Sequence, residues 1–460
     1  MENNRPEDTI RAVVDACADC DVCRYLMDAS CLMFPELYRL YDQEIETGKE
    51  ITHEALRNLV DRCNYCALCP CPNIREDIVR AKTGFIERDG MKLGVRILSD
   101  VERIGKACGM FPRLVNRLLE NRLTSDRVKA VAGIHKDRRF PEIPEETFPR
   151  WSENRKLTTR AQSARKAKVA YFAGCTGRYL FPEVPKAVVD VFEKNNIDIY
   201  CLEQKCCGMP TLLEGDKAQT LKLMQFNIDR LVEVVQDGYA VVCSCPTCGY
   251  MLKTVLKQGA YYSAEYQASV GADKNSIKVP SDSGGVSPGV KQFVNLKKAL
   301  YGDILKDDGY FSSIDPGKRI LVAENTFDAG EYLADLLRIG QLDTRFGAIT
   351  THVAYYPPCH LREQNIGRPY PDLMGLIPGI TIAGVDWSFL CCGMAGIMGF
   401  KKEFHDSSIR IGSRLIEKIK EIDPDRLVTD CLSCRLQFNQ LTPYTSLHPL
   451  EILKESYDRY

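Results

Sequence analysis

Cys175, then Cys206-Cys207-Gly208, then Cys245-Pro-Thr-Cys248, and again Cys359, then Cys391-Cys392-Gly393, then Cys431-Leu-Ser-Cys434: the fold is decided by these two stretches. Matching cysteines lie 184 residues apart at the first position, 185 at the vicinal pair and 186 at the closing pair. So small a drift marks a duplicated unit. The flanks repeat too. Val169-Ala-Tyr171 precedes the first set and Val353-Ala-Tyr355 the second, and short apolar runs (Ala240-Val-Val242, Leu427-Val428) lead into the closing pairs. A duplicated unit that keeps every thiol in place is a cofactor site used twice.

Strand and helix signals alternate around the thiols. In the first unit Lys168–Phe172, Ile197–Tyr200 and Tyr239–Val242 read as strands, with helices over Pro185–Lys194 and Lys217–Val235. The second offers strands at His352–Tyr356, Ile380–Val385 and Arg426–Thr429 and a helix over Phe404–Ile419. This alternation predicts two small parallel α/β sheets with the cysteines in loops after strands, where open sheets bind ligands. Helices are expected to start at Pro246 and Leu432, so that their free N–H groups offset anionic sulfur. Gly208 and Gly393 allow backbone angles or approaches that a side chain forbids. Spacing alone leaves three readings of each set: a five-thiolate iron–sulfur cluster, zinc on four of the five, or a vicinal dithiol without metal. Cys201 and Cys243 lie beside the first set. Cys243 stands where the second unit has Thr429, so it is expected near the site but not as a ligand.

Upstream, Cys17-Ala-Asp-Cys20-Asp-Val-Cys23 and Cys63-Asn-Tyr-Cys66-Ala-Leu-Cys69 each supply three corners of a [4Fe–4S] cube. Cys31 and Cys71 supply the fourth corners. In two-cluster ferredoxins the last cysteine of one run serves the other cluster, which groups Cys17, Cys20 and Cys23 with Cys71, and Cys63, Cys66 and Cys69 with Cys31. Pro72 follows Cys71 as that pattern expects, although Cys31 stands eight positions after Cys23 and Cys71 only two after Cys69. The charged stretch from Pro35 to Asp61 has helical periodicity, so the module is expected to be helical. Zinc knuckles are the competing reading, and three thiols per run favour iron–sulfur.

With 460 residues the chain needs no covalent staples to bury a core, so its 21 cysteines point to reduced thiolates holding metal. The polar start Met1-Glu-Asn-Asn-Arg-Pro predicts no secretory signal, and no apolar run is long enough to span a bilayer. A cytoplasmic protein is expected, at most peripherally bound to the inner membrane face. A net charge of −1 gives no general field for nucleic acid, and none is expected as a partner. No dinucleotide fingerprint, phosphate loop or H-E-x-x-H helix is present, so electrons must arrive from elsewhere. Helices are predicted between Lys92 and Ile134, the second carrying Arg113, Arg117, Arg122 and Arg127. A core-packing helix is expected there in preference to a membrane-surface one. Cys108 has no partner at ligand spacing and is expected to be a buried small hydrophobe. Six basic residues between Arg155 and Lys168 read as a solvated linker, and Ser281–Pro288 as a breaker-rich loop.

The paired units resemble the CCG domains of heterodisulfide reductase. The C-terminal third is similar to the iron–sulfur C subunit of anaerobic glycerol-3-phosphate dehydrogenase and the related glycolate oxidase iron–sulfur subunit. The matching residues are Pro358-Cys359-His360, the run from Cys391 through Gly399 to Glu403, Val428-Thr-Asp430-Cys431-Leu-Ser-Cys434 and His448-Pro449. The resemblance implies an α-helical two-cluster ferredoxin domain followed by two α/β CCG domains. It places the former at 1–90, a helical linker at 91–167, CCG domains at 168–260 and 346–460, and an insertion at 261–345. It implies two cubane clusters and one or two non-cubane [4Fe–4S] clusters, with zinc as the other occupant of one CCG unit. Cys206, Cys207, Cys391 and Cys392 would be the reactive thiols. It further implies a flavoprotein or hydrogenase-like donor subunit and a disulfide, quinone or other acceptor. Many glycerol-3-phosphate and glycolate relatives have lost cysteines from one unit, and this chain keeps all ten, which moves the expectation toward the heterodisulfide reductase catalytic subunit. The other readings are the iron–sulfur subunit of a flavin-dependent glycerol-3-phosphate, glycolate or lactate dehydrogenase and, from a different class, a zinc-binding interaction or assembly module.

Overall fold

The computed structural model describes residues 5–160, 167–281, 292–302, 304–384 and 390–460. Asp282–Pro288 of the breaker-rich loop, Val385 of the expected strand and Arg165-Lys166 of the basic stretch fall outside them.

The first part is helical. Helices run over Pro6–Cys20, Val22–Leu26, Met33–Thr47, His53–Val60 and Pro72–Asp89. Ile10, Val13, Val14 and Cys17 recur at spacings of three and four, so they share one face and pack on Leu37, Leu59 and Phe85. Four short helices follow, Leu93–Ser99, Val101–Met110, Pro112–Glu120 and Arg122–Val131. The expected second helix is cut in two because the Asn121 side chain accepts from the N–H groups of Leu123 and Thr124, restarting the helix as an N-cap.

The strands in chain order are β1 (Lys168–Phe172), β2 (Asp198–Tyr200), β3 (Ala240–Cys243), β4 (Ser276–Pro280), β5 (Phe293–Lys297), β6 (Thr326–Asp328), β7 (Thr351–Tyr355), β8 (Ile380–Gly384), β9 (Arg426–Val428) and β10 (Thr445–Leu447). Two four-stranded parallel sheets result, ordered β2-β1-β3-β6 and β8-β7-β9-β10. These orders are equivalent: in each, the strand before the first cysteine is central, flanked by the strand before the vicinal pair and the strand before C-x-x-C. The stretch 261–345, read from the sequence as insertion and linker, supplies β6, the fourth strand of the first sheet, as well as the antiparallel pair β4 and β5. A three-residue strand after some eighty residues of intervening chain carries too little periodicity to be seen in advance.

Alternation along the central strands builds the layers. Val169 and Tyr171 of β1 and Val353 and Tyr355 of β7 enter one core shared by both modules. The opposite residues Ala170 and Phe172 pack on Met224, Ile228 and Leu231 of helix Lys217–Gln236. Ala354 packs on Leu415 and Ile419 of helix His405–Ile422. The shared core fixes the two modules against each other, which sets the relation of their thiols.

Candidate metal centres

Every module thiol follows a strand. Cys175 lies in helix Gly174–Tyr179 after β1, Cys206 and Cys207 after β2, and Cys245 and Cys248 after β3. Cys359 opens helix Cys359–Arg362 after β7, Cys391 and Cys392 follow β8, and Cys431 and Cys434 follow β9. Cys245 and Cys431 are each the N-cap of the next helix, so free N–H groups face the thiols. Gly208 and Gly393 both sit at positive φ, +90° and +80°, and turn the chain directly after the vicinal pair.

Within the first set the Cys175 and Cys206 sulfurs are 3.5 Å apart. Hydrogen bonds from Cys206 and Cys248 pull the Cys207 thiol below its ordinary value against the cost of burial. In the second set Cys391 and Cys434 do the same for Cys392. Cys245 is lowered as well, to about 7, by its hydrogen bond from Cys248. Hydrogen bonds to neighbouring sulfurs, then burial, push Cys248, Cys391 and Cys434 up, and burial pushes Cys359 up.

The N-terminal thiols form two groups, and each draws its fourth member from the other end of the module. Cys17 feels Cys23, Cys71 and Cys20, whereas Cys69 feels Cys66, Cys63 and Cys31. The second run reaches this arrangement by placing Tyr65 and Ala67 at φ 51° and 61°, which curls the loop so that N–H groups turn inward. Burial pushes Cys17 up to about 12 and Cys63 up to about 11. Thiols that resist ionisation this strongly become thiolates together only around a cationic metal core, and the donor sets of four and five sulfurs fit iron–sulfur clusters. Cys108 differs: it is half-buried rather than buried, and burial alone shifts its thiol. Cys201 lies in the shared core and Cys243 at the end of β3, behind the first set.

All the module thiols except Cys206 line one cavity of about 1150 Å³, counted with its open mouth, and Cys66 reaches it from the second N-terminal group. Cys66 acts electrostatically on both Cys359 and Cys391. His360 ties the three parts together. Its Nε2 donates to the Tyr65 carbonyl at 3.0 Å and its Nδ1 accepts from Thr247 Oγ1 at 3.0 Å, while its ring stacks on Tyr250. Arg75, buried, pairs with Glu363 at 2.9 Å, and Lys401 with Glu214 at 2.6 Å, so ion pairs clamp each junction. Glu102 Oε2 accepts the Cys206 N–H at 3.1 Å. The sequence signal for His360 was its place beside Cys359, where the first unit has Thr176. Arg75, Glu102 and Glu214 carried none, because their partners are remote in the chain.

His448 is buried, accepts the Leu450 N–H at Nδ1 and donates from Nε2 to Ser244 O at 3.0 Å, joining the second module to the first. Burial holds it neutral, with its pKa down at about 3. A depressed histidine stabilises fully above its unfolded value near 6.5 and withdraws that stability as pH falls toward about 3. His448→Gln is therefore expected to flatten the acid limb of a stability–pH profile over that window. An unchanged slope would contradict a buried neutral imidazole.

Strand-end thiols duplicated on two sheets, with a helical eight-thiol module against them, define an iron–sulfur class of protein. Residues 169–253 and 353–439 each match the family model described as the cysteine-rich CCG domain, so the chain carries two stretches similar to it. It is 24% identical over 362 residues to the C subunit of anaerobic glycerol-3-phosphate dehydrogenase of Escherichia coli (strain K12), covering 78% of this chain and 76% of that one. It is 21% identical over 468 residues to the glycolate oxidase iron-sulfur subunit of Escherichia coli (strain K12), covering 97% and 95%. Lactate utilization protein A of Exiguobacterium sp. is 21% identical over 294 residues, 62% of this chain and 97% of the relative.

Proposed function

We propose that the chain is the electron-relay subunit of an oxidoreductase complex. Cys17, Cys20, Cys23 and Cys71 would hold one cubane [4Fe–4S] cluster, and Cys31, Cys63, Cys66 and Cys69 a second. Each five-thiol set would hold a non-cubane [4Fe–4S] cluster. Bound there, these groups supply one-electron redox chemistry. The observation that carries the reading is Cys66, which lines the same cavity as thiols of both modules. The two exposed cluster-type thiols, Cys20 and Cys71, both belong to the outer group, whose Cys17 and Cys23 are buried, while Cys31, Cys63, Cys66 and Cys69 are half-buried and most module thiols buried. The chain accordingly accepts electrons at its N-terminal module and delivers them to an acceptor in the cavity.

A disulfide there would take two electrons and two protons and leave as two thiols, with Cys207, Cys391 and Cys392 facing it and Cys206 directly behind Cys207. A quinone would leave as quinol on the same balance. Among the described residues no Lys, Arg, Asp or Glu lines the cavity, which favours an acceptor whose reacting end is uncharged. The names of the relatives support the iron–sulfur subunit of a dehydrogenase or oxidase, and a flavoprotein donor is the partner this reading calls for. The completeness of both five-thiol sets supports a heterodisulfide reductase-like end reaction. Metal analysis after anaerobic purification tests the whole. About sixteen iron atoms per chain with negligible zinc is the expected result. About eight iron atoms with one or two zinc would favour the interaction-module reading instead.

A further inference from the structure

The helices between Lys92 and Val131 have two unlike sides. Inward, Glu102 holds the Cys206 N–H, Gly105 packs flat on Tyr179, and Leu98 and Ile134 bury against Ile397, itself a cavity-wall residue. Outward, large apolar side chains stand in solvent: Met110 is 68% exposed, Phe111 65%, Leu114 57%, Leu123 75% and Val131 89%. Helix Pro112–Glu120 buries none of its residues. Phe111, Leu114 and Leu118 follow at spacings of three and four and so form one stripe. The expectation of an ordinary core-packing helix fails here, since the apolar stripe points away from the core.

The charge around this stripe identifies what covers it. From Lys92 to Val131 nine lysines and arginines face four acidic residues, in a chain whose overall charge is −1. Of those acids, Glu102 is buried; the Arg103, Arg113 and Arg122 side chains are largely exposed, each beside a surface carboxylate (Asp100, Glu145 and Asp126) with which a lipid phosphate would compete. Exposed apolar stripes flanked by arginines whose stems reach past them suit the boundary between lipid headgroups and acyl chains. We propose that this segment seats the protein on an anionic lipid surface, through Phe111, Leu114 and Leu118 in the acyl boundary and Arg113, Arg117 and Arg122 on lipid phosphates. No helix among the described residues is long and apolar enough to cross a membrane, so the attachment is in the plane of the surface. The same helices pack behind the thiol-lined cavity, with Leu98 against the wall residue Ile397, so the seat lies on the outer side of that wall.

Sedimentation of the full-length, anaerobically purified protein with vesicles tests this. It should pellet with vesicles of equal parts phosphatidylglycerol and phosphatidylcholine, pellet far less with phosphatidylcholine alone, and be released as salt rises. Arg113→Gln with Arg117→Gln should weaken partitioning ~30-fold. Leu114→Ser with Leu118→Ser should weaken it on both vesicle types. Iron content and reduction by viologen in solution should stay unchanged in both variants, so the seat and the relay are judged separately. Failure to bind anionic vesicles, or binding that neither double variant weakens, would overturn the proposal. So would a solution dimer that the leucine variant dissolves while vesicles are ignored, which would assign the stripe to a second copy of the chain.

Discussion

Cys66→Ser is expected to stop electrons from reaching the cavity while leaving the outer N-terminal centre metallated. Cys66 has two positions to lose: a corner of the group with Cys31, Cys63 and Cys69, and a place on the cavity wall beside Cys359 and Cys391. The loop that carries it has no spare thiol, and Tyr65 and Ala67 are already committed to positive φ to form the curl. Iron should fall by about four atoms per chain, the content of one cubane. Electron delivery from a reduced viologen donor to the cavity should collapse, and the paramagnetic signature of the outer centre should persist. Cys20→Ser should remove the same amount of iron but from the exposed group, leaving the inner signal. Cys201→Ala should remove none, since that thiol sits in the apolar core shared by the modules. Full iron in Cys66→Ser, or loss of both N-terminal signals together, would break the assignment of thiols to two separate groups.

The reason that so much of this arrangement can be read from sequence is that metal-binding thiols write their geometry into short spacings. The strands before Cys175, Cys207 and Cys245, and those before Cys359, Cys392 and Cys431, stand where hydrophobic alternation puts them, because a buried strand must carry its pattern locally. What is not legible depends on pairs remote in the chain. β6 joins β3 across the insertion with only three residues, and Glu102 meets Cys206 more than a hundred positions away. His360 reaches Tyr65 and Thr247 from a third element, and no periodicity in any one of the three announces the meeting. The helices from Lys92 to Val131 show the converse. Their amphipathic pattern is plain in the sequence, but a pattern fixes only that one face is apolar and not whether that face meets the core or the outside.

Gly393→Ala should be far more damaging than the equivalent change in the first unit, although both glycines end a Cys-Cys pair at positive φ. At Gly393 an added Cβ would run into the carbonyl oxygen of Ser408 and lie 2.9 Å from the Gly412 nitrogen, both backbone atoms of helix His405–Ile422. Neither can rotate away, so either the helix shifts or the Cys391-Cys392 turn opens. Strain at φ +80° adds about 1–2 kcal/mol. The total cost should reach about 4 kcal/mol, in the range reserved for disrupted cores and special backbone positions. At Gly208 the same Cβ would meet Thr220 Cγ2 at 3.1 Å, a tight contact that a shift of a few tenths of an ångström relieves, so the left-handed strain dominates and about 1–2 kcal/mol is expected. Iron retention and limited proteolysis of each module report the difference: Gly393→Ala should lose the second module's iron and expose its helix to cleavage, while Gly208→Ala keeps most of its metal. Thr220→Ser, which removes Cγ2 but keeps the hydroxyl bonded to Asp216 O and Thr211, should recover part of the Gly208→Ala loss. Equal damage at the two glycines would mean that the helix behind Gly393 is free to move, and that the close packing of turn on helix does not hold the second thiol set in place.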